Sequence, residues 1–77
     1  MQVANAIKKL AKAGFEVNQN GNCFSAQGLK RLIEFYEQEG IVIGLRVRSV
    51  VDRDDWVGGY SAGVFCDNLS QAIRLAN

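Results

Sequence analysis

Three carboxylates, Asp52, Asp54 and Asp55, sit beside the chain's single tryptophan, Trp56, in the stretch DRDDWVGGY over 52–60. Clustered acids can hold a hard cation, share a proton as an acid/base pair, or steer a basic partner. The twelve-residue calcium loop needs glycine at its sixth position and an acid at its twelfth. Counted from Asp52, those positions are Val57 and Gly63, so the calcium pattern fails. Acid/base work needs a carboxyl whose pKa is raised by burial, which a glycine-flanked stretch in a short chain rarely provides. Two readings are left. Asp and Gly chemistry accounts for a solvated turn, with Trp56 folding back to cover the sheet edge, or Trp56, with Tyr60 nearby, anchors a partner while Asp52, Asp54 and Asp55 line the rim.

The remaining residue types exclude more chemistry than they offer. Histidine is absent, which removes His-based triads, His-containing zinc sites and the usual near-neutral proton carrier. Ser25, Ser49, Ser61 and Ser70 have no base beside them, and no phosphate loop or cofactor fingerprint occurs. The expectation is a protein that is not an enzyme and holds neither cofactor nor metal. Cys23 and Cys66 stand apart from any ligand cluster; they read as buried thiols before a strand-to-strand disulfide.

A second constellation draws on three segments. Glu34 and Tyr36 alternate with Ile33 and Phe35, Arg46 and Arg48 alternate with Leu45 and Val47, and Phe65 can reach the same side of a sheet. Across antiparallel strands these residues predict an ion pair or a cation–π contact. The alternative is a surface that stacks single-stranded bases on Tyr36 and Phe65 and holds phosphates with Arg46 and Arg48. The acidic neighbours and a formal charge of only +1 oppose it.

The elements that position these residues follow from spacing. Val3, Ala6, Ile7 and Leu10 recur at helical intervals over 2–13, with Lys8, Lys9 and Lys12 opposite and Gly14 as a stop. The lysine side is a solvated face or a docking face for an acidic partner. Phe15 and Val17, then Phe24 and Ala26, predict a hairpin turning at Asn20-Gly21. Residues 29–39 fit a helix with a Leu29, Leu32, Ile33 and Tyr36 stripe, or a strand. The strand is preferred because it buries Phe35. Glu39-Gly40 then turns into IVIGLRVRSVV, read as a strand with Ile41, Ile43, Leu45 and Val47 inward. YSAGVFC predicts a last strand. Asn68 or Asp67 caps a closing helix whose stripe is Leu69, Ala72, Ile73 and Ala76, and Gln71 completes a capping box.

The expected fold is therefore α+β: an N-terminal helix, an antiparallel meander of four to five strands, and a C-terminal helix. Each helix is apolar on one stripe only, so both are expected on one face of the sheet, leaving the other open. The core is expected from Ile7, Leu10, Phe15, Ile43, Leu45 and Ile73. A chain of 77 residues makes one domain, and a domain this small buries only roughly 60% of its unfolded surface. No signal peptide or membrane-length apolar run appears, so a cytoplasmic monomer or small homo-oligomer is expected, away from membranes.

In size, composition and helix–meander–helix outline the whole chain resembles the small α+β accessory proteins of phages and prophages, among them anti-CRISPR proteins. The resemblance lends no functional residue. It implies a stoichiometric binder that blocks a bacterial protein or protein complex, with nucleic acid a less favoured partner. Asp52, Asp54, Asp55 and Glu34, with Glu37 or Glu39, would face a basic surface, and Trp56, Tyr36 or Tyr60 would supply apolar anchors.

Overall fold

Val3, Ala6 and Leu10 lie on one side of a helix, α1 (Val3–Lys12), in the computed structural model, which describes residues 1–48 and 63–77. Gly14, at φ 94°, ends it. The Phe15 N–H donates to the Leu10 carbonyl at 2.9 Å and the Gly14 N–H to that of Ala11 at 3.0 Å, the paired closure that a left-handed glycine permits. Phe15 and Leu10 are both buried in the core, so the same turn that stops the helix also aims the next segment inward.

Five strands follow among the described residues: β1 (Val17–Asn20), β2 (Cys23–Gln27), β3 (Leu32–Gln38), β4 (Ile41–Arg48) and β5 (Val64–Phe65). A helix, α2 (Leu69–Ala76), closes the chain. All neighbouring pairs are antiparallel and the sheet order is β1-β2-β3-β4-β5, the expected meander. The first turn falls at Gly21 and Asn22, one residue later than the Asn20-Gly21 dipeptide, because Asn20 pairs with Cys23 and only Gly21 takes positive φ, 65°. The inward side chains are those expected: Phe24 and Ala26 are buried, and Val17 packs against them.

Residues 32–38 form a strand, and Phe35 gives the reason. It is fully buried opposite Phe24, with ring centroids 5.2 Å apart and planes 3° from parallel. Such a pair contributes about 0.5–1.5 kcal/mol beyond its buried area, and a helix over these residues would carry Phe35 off the apolar stripe.

β4 departs from the simple alternation. Glu34 pairs with Arg46, but Tyr36 pairs with Ile43, so one residue of β3 faces two of β4, Gly44 and Leu45. Gly44 has φ 62°, the left-handed residue that opens such a bulge. Beyond the bulge the sides exchange. Val42, Leu45 and Val47 pack on the core, whereas Ile41 and Ile43, expected inward, are 43% and 41% exposed.

The Asn68 side chain accepts from the Gln71 N–H at 2.9 Å and so caps α2, while the Gln71 side chain accepts from the Asp67 N–H. At the other end, the turn between β2 and β3 serves the open carbonyls. Lys30 N–H and Arg31 N–H donate to Ala76 O, and Arg31 Nη1 donates to Leu75 O. Gly28 leaves room for this contact, since a side chain there would overlap the Ala76 carbonyl. Val3, Ala6 and Leu10 of α1 and Leu69, Ala72 and Ala76 of α2 join one cluster with Phe24, Ala26, Ile33, Phe35 and Val47 of the sheet. Lys9 Nζ also donates to Ser70 Oγ, linking the helices. Among the described residues no helix is long and apolar enough to cross a membrane.

Replacing Gly44 by alanine should destabilise the fold by about 1–2 kcal/mol, the cost of a left-handed Cβ. In a domain this small, that lowers Tm by roughly 4–8 °C per kcal/mol. Gly44→Asn should lose less, because asparagine tolerates that conformation. Thermal melts of the two variants check it, and equal, negligible losses would rule out the bulge.

Candidate functional site

The register sorts the second constellation into rows on the side of the sheet turned away from the core. One row reads Asn18, Ser25, Glu34, Arg46, Phe65, and the next reads Asn20, Cys23, Tyr36, Ile43. Glu34, Tyr36, Arg46 and Phe65 are therefore brought together as the alternation predicts. Arg48 joins them from the next outward position, opposite Leu32.

Glu34 is the hub. Its Oε1 accepts from Arg46 Nε at 3.0 Å, from Arg46 Nη2, and from Arg48 Nη1 at 2.8 Å. Glu34 is only 8% exposed, and the arginine side chains are 21% and 15% exposed. Burial by itself would raise the Glu34 carboxyl; the hydrogen bonds from Arg46 and Arg48, with their charges, outweigh it and hold the group below the usual carboxylate range. The same bond raises Arg46 further. Arg46 also lies over the Tyr36 ring, 5.8 Å from its centroid, and donates to Tyr36 Oη at 3.2 Å. The bulge positions that ring: a side chain at Gly44 would touch Tyr36 Cδ2 at 3.4 Å.

This arrangement is structural chemistry. A carboxylate fixed by two guanidinium groups neither takes up a proton near neutrality nor presents its charge to a partner, so Glu34 does not belong to an acidic docking surface. Of the acids expected beside it, Glu37 turns its Oε2 to the Gly40 N–H at 3.1 Å, and Glu39 is exposed in the turn at φ 53°. Arg46 and Arg48 already share an internal anion, which lessens what they can give to phosphates.

Cys23 and Cys66 are free and half-buried. Burial first, and then the Glu34 carboxylate, push the Cys23 thiol up. Burial and then Asp67 do the same for Cys66. Both thiols are thus protonated at neutral pH, the unreactive form. Among the described residues no three Cys, Asp or Glu come together as a metal site. Asp52, Asp54, Asp55, Trp56 and Tyr60 lie outside the described residues.

What sequence reasoning misses is Ile43: simple alternation places it in the core, and the bulge turns it outward. Phe65 is expected on the outward side and lies there. Phe65 is 67% exposed opposite Arg46, and Ile43 is 41% exposed opposite Tyr36. The signal that could have found Ile43 is Gly44, a glycine interrupting a β-branched run.

Glu34→Gln should cost about 1.5–3 kcal/mol, the range for hydrogen bonds to charged groups. The pH dependence has a definite sign. Because the folded carboxyl lies below its unfolded value, its stabilisation is fully present above about pH 4.3, where the unfolded carboxyl is ionised. It is lost as pH falls through the lower folded value. Urea unfolding from pH 7 to pH 3 should therefore show a shallower acid loss in Glu34→Gln than in wild type, and parallel curves would refute the cluster.

No protein-family model, curated protein or solved structure matches the chain, so the residues themselves carry the functional reading.

Proposed function

We propose that the protein is a non-enzymatic binder of another protein, and that it docks through the outward side of the sheet. The observation that carries this reading is the exposure of Phe65 and Ile43 beside Tyr36, around arginines already engaged by Glu34. An aromatic and aliphatic patch with arginine at its centre has the composition of an interface core. Phe65 would be the anchor, with Ile43 and Tyr36 packing beside it.

The paired carboxylate, the protonated thiols and the absence of histidine favour binding over catalysis. The resemblance to phage accessory proteins gives the partner class: a bacterial protein or complex, blocked by occlusion in the manner of an anti-CRISPR protein. The acids at 52–55 with Trp56 and Tyr60 belong to the same proposal, as rim charges and further anchors on the segment that joins Arg48 to Gly63.

The test uses tagged protein to capture a partner from bacterial lysate, followed by titration with the purified partner. Phe65→Ser should weaken binding by about 2 kcal/mol or more, about 30-fold, with Tm little changed. Trp56→Ala should do likewise, and Asp54→Asn with Asp55→Asn should mainly slow association and reduce its salt dependence. A large loss of Tm with unchanged affinity would make Phe65 a packing residue and sink the proposal.

A further inference from the structure

The helix side of the domain differs in kind from the sheet side. α1 and α2 contain no Asp or Glu, and neither does the turn between β2 and β3. They carry Lys8, Lys9, Lys12, Lys30, Arg31 and Arg74, all exposed. Among the described residues the ion pairs are those of Glu34 with Arg46 and Arg48, so none of these six cations is neutralised by an ion pair there.

The fold joins them into one surface. Lys9 reaches Ser70 of α2, and Arg74 lies four residues, about one turn, beyond Ser70. The backbone of Lys30 and Arg31 holds the last carbonyl of α2. Residues spread over the whole length of the chain thus share a cationic layer; Glu16 and Asp67 are the acids nearest the two helices in sequence.

We propose that this layer docks on the phosphate backbone of duplex nucleic acid. Lysine, which makes up four of the six cations, is depleted at protein–protein interfaces, whereas phosphate oxygens are held by Lys and Arg together with Ser, Asn and Gln. The polar side chains exposed among the cations are Asn5 and Ser70. Neither helix has an aromatic residue, so the layer lacks both the anchors of a protein interface and the stacking platforms that grip single strands. A ten-residue helix such as α1 is about 15 Å long, a distance over which a duplex carries roughly nine phosphates. Anions are therefore in excess over the cations presented. Binding is independent of base sequence and sensitive to salt.

Fluorescence anisotropy with a labelled random-sequence DNA duplex tests this at low and at physiological salt. Saturable binding is expected, weakening with a log–log salt slope of roughly −3 to −5, since each neutralised phosphate contributes about 0.9. Joint replacement Lys8→Gln, Lys9→Gln and Lys12→Gln should weaken low-salt binding more than tenfold and flatten the slope by roughly 2–3 units. Lys8→Gln and Arg74→Gln singly, each keeping the wild-type Tm, should flatten it by about one unit. Phe65→Ser on the sheet side should change nothing. No binding at low salt, or wild-type binding by the triple variant, would overturn the proposal. So would polyglutamate of matched charge competing as well as duplex, which would make the layer a surface for acidic protein.

Discussion

The β3–β4 hairpin has to meet two registers that differ by one residue. Its two-residue turn at Glu39 and Gly40, both with positive φ, pairs Gln38 with Ile41 and Tyr36 with Ile43. Continued without interruption, that register would set Arg46 opposite Ile33 on the core side and turn Val47 outward. The core needs the reverse. Gly44 absorbs the extra residue in a left-handed conformation, and from there Val47 faces Ile33 while Arg46 faces Glu34. Burying an unpaired guanidinium costs far more than a bulge, so the glycine determines which side of the domain is apolar and which is charged.

The ion cluster depends on that exchange. Glu34 gathers Arg46 and Arg48 onto a single carboxylate oxygen, and Tyr36, lying against Gly44, holds Arg46 by ring and hydroxyl. A carboxylate this buried would be a liability alone; two guanidinium groups compensate it and leave the three side chains with one formal positive charge. The neighbouring Phe65 and Ile43 present exposed apolar surface beside the cluster, which suits recognition by shape and packing.

The two sides of the protein therefore offer different physics. The sheet side has a compact ion cluster at its centre with an exposed aromatic residue beside it. The helix side is a layer of cations with small and polar neighbours. The two proposed surfaces can coexist on one small domain because the hydrophobic core separates them. It also keeps the cations of α1 and α2 away from Glu34.

Much of this was determined by local residue pattern. The helical stripe of Val3, Ala6 and Leu10, the Gly14 stop, the Asn68 cap and the alternation of Ile33 and Phe35 with Glu34 and Tyr36 each depend on near neighbours, and spacing alone reveals them. The pairing of Glu34 with Arg46 was legible for the same reason, since alternation on two adjacent strands leaves few arrangements. The tertiary structure decided what depends on register between strands. Ile43 moved from core to surface through a single left-handed glycine. Arg48 turned to Glu34, and the β2–β3 turn came to hold the end of α2 through Lys30 and Arg31. Gly28 shows why such features are invisible in sequence. Its missing side chain matters only because Ala76, almost fifty residues away, packs against its backbone, and no periodicity encodes a contact between segments so distant.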